Sequence, residues 1–329
     1  MVKDLTPFPD QDLIRHDIAH AMFWSKLDMS DAYDQIHVEP KHIECNTFTT
    51  IVGTFVCYVM QQGDCNAPVT FQRLMMHVFR SMIGYTVHVY LDDIFIYTNT
   101  IEEHEIALGK VFNLLRENRL YLSGKKVDLY SPRMDCLGHI IDDMGIHAET
   151  DKMAMVRNWP TPRSYHDVQR FLGMVNYIAH FMPDVSAFTA PLSGMSKQKH
   201  FTWTALHEKC FRSIKDLACR TPILKPIDPI EAIEKGEEIF LVSDASISGI
   251  SAYYGQGKDW LTCRPAGFMS KKFSTAQYSY RTYEQETLAI LEGLHKWEDK
   301  LLSRWFHVIT DHQALQFLAL QACLSNQQI

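Results

Sequence analysis

Two adjacent carboxylates, Asp92 and Asp93, lie between two apolar, β-prone runs at residues 85–90 and 94–97. This pattern predicts a β-hairpin with both acids at its tip. Paired carboxylates repel each other and are costly to bury unless a cation neutralises them. Two divalent metal ions would neutralise them and would suit phosphoryl transfer. Because Asp is common in turns, the pair alone favours a plain polar turn, and the rest of the chain must decide.

A third acid, Asp28, ends a strand-forming segment at residues 25–28, far upstream of the pair. Two strands that each deliver an acid can converge on one pair of ions. Mg²⁺ is usually bound by one or two carboxylates together with waters and substrate phosphates. One ion would lower the pKa of an attacking hydroxyl, and the other would neutralise a departing phosphate group. The alternative is that Asp28 caps a helix or turn beginning at Met29, and its sequence context alone weighs the two interpretations equally.

Three further acids, Asp244, Glu286 and Asp311, recur near the C-terminus. Asp244 and Asp311 each end an apolar strand segment, and Glu286 lies near the start of an amphipathic helix. Two strand ends and one helix start can direct three carboxylates to one point, which suits two-metal hydrolysis of a phosphodiester. For any single acid a loop or solvated helix position is the simpler interpretation. Glu284 competes with Glu286, and the register with residues 288–290 favours Glu286.

The elements that would position these acids follow from periodicity and turn residues. Helices are predicted over residues 67–82 and 101–119, hairpins over 47–60 and 136–146, and a helix capped by Ser164 that runs to about residue 181. The simplest architecture is a mixed layer of helices against a small antiparallel sheet. Residues 226–238 are polar, acidic and proline-bearing, which predicts a linker. A strand from Ile239 then begins a second α/β unit.

Composition sets limits on the class of protein. The chain of 329 residues is 46% hydrophobic and 22% charged, which is ordinary for a globular protein. Its formal charge of −7 counts modestly against tight autonomous binding of nucleic acid, which usually needs a basic stripe. The eight cysteines include no Cys-x-x-Cys pair, so the sequence predicts no zinc site and favours a reducing, intracellular setting. No apolar run reaches membrane-spanning length, and no membrane partner is expected.

Several motifs together resemble reverse transcriptases, and most closely those of gypsy-type LTR retrotransposons. Their order and approximate spacing match the family over nearly the whole chain, which is far more specific than any one motif. The motifs of the first half occupy residues 23–37, 62–72, 90–93 and 136–139. The surroundings of the C-terminal acids, residues 243–246, 281–283 and 310–312, resemble retroelement RNase H.

This resemblance implies an α/β (α+β) fold with polymerase palm and fingers around a small antiparallel sheet, a helical thumb, a connection and a C-terminal RNase H-like α/β domain. We expect the following boundaries: partial fingers and palm at 1–146, thumb at 147–196, connection and linker at 197–237, and the RNase H-like domain at 238–329. The implied function is RNA-directed DNA polymerase with attached ribonuclease H. The implied partners are an RNA template, a DNA primer, deoxynucleoside triphosphates and an RNA·DNA hybrid, in a cytoplasmic particle or the nucleus.

The resemblance also assigns metal ligands. Asp28 and Asp92 would bridge two Mg²⁺ ions with Asp93 in support. The other three acids would hold two Mg²⁺ ions of the nuclease, and Mn²⁺ is the alternative ion at both sites. These nuclease ligands are Asp244, Glu286 and Asp311.

Substrate contacts are implied in the same way. Tyr33 would lie under the sugar and exclude a 2′-hydroxyl, or else be an ordinary half-buried aromatic residue. Asp31 and Ala32 would offer backbone N–H groups to the triphosphate. The residues that match the loop seating the incoming nucleotide and template are Gln62, Gly63 and Pro68.

Two segments would bind nucleic acid. A hairpin would hold the primer terminus, or its first two residues would serve only as core strand residues. Its residues are Cys136, Leu137, Gly138 and His139. A thumb helix would follow the minor groove, or its glycine would serve only close helix packing. Its residues are Gly173, Asn176 and Tyr177.

The chain also departs from the family pattern. Asp64 stands in a loop that usually reads Phe-Gly-Leu-Thr-Asn-Ala-Pro, and it adds negative charge near the expected path of phosphates. The resemblance further implies a longer fingers segment with basic residues and a fourth nuclease acid, so both ends are expected to be truncated. We therefore expect weak polymerase activity at best and a weak or inactive nuclease. The alternative function is an impaired retroelement remnant that only binds nucleic acid or a partner.

Overall fold

The structure is a computed structural model that describes residues 3–195, 200–302 and 304–312. The chain divides into two compact units, and the boundary runs through one short strand. The first unit comprises residues 1–137 and 141–143, and the second comprises residues 138–140 and 144–329. Among the described residues, no helix is both long and apolar enough to cross a bilayer.

The first unit is built from a central sheet, three helices and a separate two-stranded hairpin. Its helices are α1 (Gln11–Ala19), α2 (Ala67–Val78) and α3 (Ile101–Glu117). Its strands are β1 (Phe23–Met29), β2 (Thr47–Thr50), β3 (Gly53–Val56), β4 (Val87–Tyr90), β5 (Asp93–Thr98), β6 (Leu122–Ser131) and β7 (Arg133–Cys136). The main sheet has the antiparallel order β4-β5-β1-β6, and β2 pairs with β3 separately.

Alternation along β1 explains how this sheet separates its core from its polar face. Leu27 and Met29 are buried in the apolar core with residues of α2 and α3. Lys26 and Asp28 alternate with them and therefore point to the opposite face of the sheet. On the core side, α3 begins at its cap Thr100, whose hydroxyl accepts a hydrogen bond from the N–H of Glu103.

The second unit begins with helices packed around their own core. The structure contains the strands β8 (His139–Asp142) and β9 (Gly145–Ala148) where the chain passes between units. The helices that follow are α4 (Thr150–Arg157), α5 (Tyr165–Ile178), α6 (Val185–Gly194), α7 (Ala205–Ala218) and α8 (Pro229–Glu234). Ser164 caps α5 as predicted, because its hydroxyl accepts from the N–H of Asp167 at 3.2 Å. Phe171 and Val175 bring α5 into the core that it shares with α7.

A second four-stranded sheet completes this unit. Its elements are β10 (Glu238–Ala245), β11 (Gly249–Gly257), β12 (Arg264–Lys272), α9 (Thr282–Lys296), α10 (Glu298–Leu301) and β13 (His307–Ile309). The order is β12-β11-β10-β13, with β13 parallel to β10 and the other pairs antiparallel. Gly293 lets α9 approach the sheet, since a Cβ there would lie 3.2 Å from the side chain of Leu241.

Hydrogen bonds fasten this sheet to the helices of its own unit. The N–H of Ser186, at the start of α6, donates to the hydroxyl of Ser270 on β12 at 2.9 Å. The N–H of Lys225 donates to the carbonyl of Pro265 at 2.9 Å. The segment expected to be a linker, residues 226–238, contains α8, and the N–H and carbonyl of Asp228 near its start are hydrogen-bonded to the side chain of Gln256 on β11. The helical part and the sheet form one compact unit.

Candidate active sites

The first acid group, Asp28, Asp92 and Asp93, comes together at one end of two neighbouring strands. Tyr90 pairs with Asp93, so β4 and β5 are joined by the two-residue turn Leu91-Asp92. Asp28 on β1 lies directly opposite Asp93 on β5. The N–H of Met29 also donates to the carbonyl of Asp92 at 3.0 Å. Strand pairing thus brings acids that are far apart in the sequence to neighbouring positions.

Two lysines that the sequence analysis did not single out neutralise part of this charge. The ammonium of Lys126 lies 3.3 Å from both carboxylate oxygens of Asp28. The ammonium of Lys26 lies 3.1 Å from Oδ1 of Asp93. Burial raises the pKa of Asp93, Lys26 opposes that rise, and the charges of Asp92 and Asp28 add to it. Lys26 stands two residues before Asp28 on one strand, so the alternation rule could have found it.

Residues predicted to contact the incoming nucleotide begin immediately after β1. Asp31 adopts a left-handed backbone, with φ of 43°, and precedes the 3₁₀ turn Ala32–Gln35. Ala32 is buried in the core of the first unit. The ring of Tyr33 is half-buried and meets Phe71 edge-on at 5.7 Å. Burial raises the pKa of Tyr33, and the negative charge of Asp92 raises it further.

The loop before α2 contains the other residues predicted at this pocket. Gly63 has a φ of 100°, a conformation that favours glycine, and no atom lies within 4 Å of where its Cβ would be. Pro68 lies in the first turn of α2, where its missing N–H costs no helical hydrogen bond. The carboxylate of Asp64 accepts from the N–H of Gln61 at 3.2 Å. Asp64, which departs from the family pattern, therefore has a local role, because this hydrogen bond closes the turn that contains Gln62.

In the segment predicted to hold a primer terminus, residues 136–139, most side-chain surface is buried. Cys136 is fully buried, and burial raises the pKa of its thiol to about 12. Leu137 and Gly138 have left-handed φ values of 49° and 79°. A Cβ on Gly138 would overlap the hydroxyl of Tyr177. The ring of His139 is buried and stacks on Tyr177 at 5.7 Å, so this segment has mainly backbone to offer a ligand.

The thumb residues lie on one exposed face of α5. Gly173, Asn176 and Tyr177 are spaced i, i+3 and i+4, and they face away from the buried Phe171 and Val175. Nothing lies within 4 Å of the position that a Cβ of Gly173 would take. Close helix packing is therefore not the reason for this glycine. The ammonium of Lys152 lies 3.8 Å above the centre of the Tyr177 ring and is paired with the carboxylate of Glu149 at 2.8 Å.

The second acid group, Asp244, Glu286 and Asp311, forms a tight cluster. One carboxylate oxygen from each residue lies within 4.8 Å of the other two. Because β13 runs parallel to β10, the ends that carry Asp311 and Asp244 meet at the same sheet edge. The N–H of Ala245 donates to Oε1 of Glu286 at 3.3 Å. Glu284 lies outside the cluster, since its carboxylate accepts from the N–H of Arg281 at 2.8 Å and caps α9.

The electrostatics of this cluster fit a divalent cation. Burial, followed by the charges of Asp311 and Asp244, raises the pKa of Glu286 to about 7. Burial and Asp311 also raise the pKa of Asp244. Oε2 of Glu286 is buried without a hydrogen-bond partner. Hard divalent cations prefer such carboxylate oxygens, and one bound here would satisfy the buried atom. Within the described residues, this is the one set of three His, Cys, Asp or Glu residues whose ligand atoms are this close.

Comparison with known families matches one domain to each acid group. Residues 3–141 match the family model for reverse transcriptase (RNA-dependent DNA polymerase). Residues 234–329 match the model for the RNase H-like domain found in reverse transcriptase. The first match contains the first acid group and the second contains the second. The resemblance of the motifs to reverse transcriptase and to retroelement RNase H is thereby confirmed.

Curated relatives are polyproteins of transposons. The retrovirus-related Pol polyprotein from transposon 297 of Drosophila melanogaster is 28% identical over 319 residues, covering 96% of this chain and 29% of that protein. The transposon Tf2-3 polyprotein of Schizosaccharomyces pombe is 28% identical over 315 residues, covering 95% of this chain and 23% of that protein. The chain thus spans less than a third of the length of these relatives.

Solved structures show the same fold. The foamy viral protease-reverse transcriptase dRH in complex with ds DNA matches with a TM-score of 0.84 at 22% identity, over 99% of this chain and 57% of that chain. The foamy viral protease-reverse transcriptase in complex with RNA/DNA hybrid matches with a TM-score of 0.79 at 22% identity, over 99% of this chain and 44% of that chain. The predicted mixed fold with small antiparallel sheets is therefore confirmed.

Proposed function

We propose that this chain, which carries a reverse transcriptase domain followed by an RNase H-like domain, copies RNA into DNA and cleaves the RNA of the resulting hybrid. The observation that best supports the polymerase is the register that sets Asp28 opposite Asp93, beside the turn at Asp92. A gypsy-type retrotransposon is the proposed source. The relatives that support this source are transposon polyproteins.

In the polymerase, Asp28 and Asp92 would hold Mg²⁺, with Asp93 in support. When bound, the ions would activate a primer 3′-hydroxyl and neutralise the pyrophosphate that departs. Before metal binds, the ammonium groups of Lys126 and Lys26 lie beside the carboxylates of Asp28 and Asp93 and offset part of their negative charge. Tyr33 lies in the 3₁₀ turn that follows β1, four residues after Met29 at the end of that strand, and this position supports its proposed role beneath the sugar of a deoxynucleoside triphosphate.

The nuclease proposal rests on the second acid group. Mg²⁺ or Mn²⁺ would be held by Asp244, Glu286 and Asp311. When bound, the ions would activate water for attack on a phosphodiester. Glu286 is the buried member, and a cation beside it would lower its raised pKa and keep it ionised. The exposed face of α5 would contact the hybrid through backbone phosphates and the minor groove.

The finer parts of the proposal follow the expected organisation. Fingers and palm would occupy residues 1–146, the thumb 147–196, the connection 197–237 and the RNase H-like domain 238–329. The turn at Leu137 and Gly138 would approach the primer through its backbone, because the side chains of Cys136 and His139 are buried. An intracellular location is proposed, in keeping with the free cysteines of the described residues.

Primer extension on an RNA template with Mg²⁺ tests this function. The unchanged chain should add deoxynucleotides, and Asp92→Asn should abolish addition because it removes a metal ligand. Asp216→Asn is a matched control, since Asp216 is exposed on α7 outside both acid groups and should leave addition unchanged. Hybrid binding without any addition by the unchanged chain would instead support the binding-only remnant.

A further inference from the structure

Gln72 is a buried polar residue whose side chain is hydrogen-bonded to the hairpin of β4 and β5, which carries Asp92 and Asp93. It lies on α2 with 3% of its surface exposed. Its amide Nε2 donates to the carbonyl of Val89 at 3.1 Å. Its Oε1 accepts from the N–H of Leu91 at 2.6 Å. One side chain therefore bridges the last residues of β4 and the turn that leads to Asp92.

The turn needs such support because its first residue has an unfavourable backbone. Leu91 has a φ of 53°, in the left-handed region that side chains other than glycine rarely occupy. Strain of this kind persists only where the surroundings hold the backbone in place. The hydrogen bond from Gln72 holds Leu91 on one side of the turn. The bond from the N–H of Met29 to the carbonyl of Asp92 holds the other side.

The residue before the turn is held as well. The hydroxyl of Tyr90 accepts from Nε2 of Gln11 at 2.6 Å, and the Tyr90 ring lies 6.0 Å from that of Phe8. These contacts reach Tyr90 through its side chain. Gln72 contacts the turn through the backbone, which sets the direction in which the next side chain, that of Asp92, leaves the chain.

We propose that Gln72 is a positioning residue for the polymerase, which sets the direction of the Asp92 carboxylate by holding Leu91 in its left-handed conformation. This inference rests on the proposed polymerase function. Loss of the bridge would let Leu91 relax toward negative φ and would turn Asp92 away from Asp28. Small displacements of catalytic groups can cost about 100-fold in rate. The effect should appear in the rate at saturating nucleotide, because Gln72 is buried beneath the hairpin.

The test compares Gln72→Leu with Gln256→Leu, which removes the hydrogen bonds of another buried glutamine. Gln256 on β11 is 2% exposed, and its side chain makes the same two kinds of bond to the N–H and the carbonyl of Asp228, each at 2.7 Å. Both variants should lower the melting temperature. Only Gln72→Leu should lower the single-turnover incorporation rate, by about tenfold or more, with the nucleotide KM within about twofold of the unchanged chain. Equal incorporation rates in the two variants would overturn the inference.

A conservative variant separates positioning from packing. In Gln72→Glu, a protonated carboxyl can still accept from the N–H of Leu91 and donate to the carbonyl of Val89. An ionised carboxylate has no proton to donate, so it would repel the Val89 carbonyl oxygen. Burial raises the pKa of a carboxyl. The incorporation rate of Gln72→Glu relative to that of the unchanged chain should therefore be highest at low pH and fall as pH rises. A flat ratio between about pH 5.5 and about pH 8.5 would contradict the bridging role.

Hydrogen exchange gives a readout that does not depend on activity. The Leu91 N–H should exchange slowly in the unchanged chain and at least about tenfold faster in Gln72→Leu, while Gln256→Leu leaves it unchanged. Unchanged exchange at Leu91 would refute the bridge itself. If exchange rises as expected but neither the unchanged chain nor the variants incorporate nucleotide, the proposed polymerase function is wrong, while the hydrogen bonds of Gln72 to the turn are confirmed.

Discussion

Asp28 lies directly opposite Asp93 on neighbouring antiparallel strands, and each carboxylate faces its own lysine ammonium. Side chains of directly opposed residues share one face of a sheet, so the two acids repel each other across the strand pair. Lys126 is largely exposed and is screened by water, whereas Lys26 is mostly covered. The Lys26 contact therefore matters more for stability.

Replacing Lys26 by Met should destabilise the first unit by about 1 to 3 kcal/mol at neutral pH, because a partly buried carboxylate loses its cation. The pKa of Asp93 is already above its ordinary value and should rise further in this variant. A raised carboxyl pKa means that the folded state holds a proton more tightly than the unfolded state, so stability falls as pH rises through it. Urea denaturation at pH 5 and pH 7.5 should show the larger loss at pH 7.5, and an equal loss would contradict this account.

Glu286 should make metal-free stability depend on pH. Its pKa rises from 4.5 to about 7 on folding, so the stabilisation by its proton is present below pH 4.5 and is lost as pH climbs through 7. The second unit should lose up to about 3 kcal/mol of unfolding free energy over that interval. Glu286→Gln should remove most of this slope, whereas Glu298→Gln, an exposed control, should keep it.

Divalent metal should reverse the same trend. Added Mg²⁺ or Mn²⁺ should stabilise the second unit more at pH 8 than at pH 5.5, because binding requires ionised carboxylates. Titration calorimetry of the Asp244→Asn variant should show weaker binding by about tenfold or more, since one ligand is lost. Equal metal affinity in that variant and the unchanged chain would show that the second acid group is not the binding site.

Tyr33→Ala should admit ribonucleotides, because it removes the ring proposed to exclude a 2′-hydroxyl. Incorporation of ribonucleotides relative to deoxynucleotides should rise by about 10- to 100-fold in kcat/KM. Tyr33→Phe keeps the ring and its edge contact with Phe71, so it should retain the discrimination of the unchanged chain. Unaltered sugar selection in Tyr33→Ala would remove the role proposed for this ring.

Gly173→Ala should separate stability from nucleic-acid binding. No atom lies close to the added methyl group, so the helix should gain about 0.5 to 1 kcal/mol. If the exposed face of α5 follows the minor groove, the same methyl group should weaken hybrid affinity. Fluorescence anisotropy with a labelled RNA·DNA hybrid measures this, and Gly109→Ala on α3, which is also free of neighbours, is the control.

Short-range patterns predicted much of this fold. The strand-forming segment that ends at Asp28 and the two apolar runs beside Asp92 predicted β1, β4 and β5. The spacing of Ser164 and Asp167 marked the start of α5. The predicted helix over 67–82 ends earlier, at Val78, with Phe79 as its C-cap.

Other features depend on partners that are distant in the sequence. β6 (Leu122–Ser131) was not predicted, because its largely exposed residues lack apolar alternation and its strand form depends on pairing with β1. The contact of Lys126 with Asp28 spans 98 positions, and no local pattern could indicate it. The burial of His139 likewise depends on packing against α5 and the residues that follow it.

The hydrogen bond from Ser186 on α6 to Ser270 on β12 ties the helices of the second unit to the sheet that carries Asp244, and α5 belongs to the same compact unit. A duplex held at Gly173 and Asn176 would reach Asp244 after a constant number of base pairs. Cleavage would then fall at a fixed number of base pairs from the contact with α5, and the fragments would share one length.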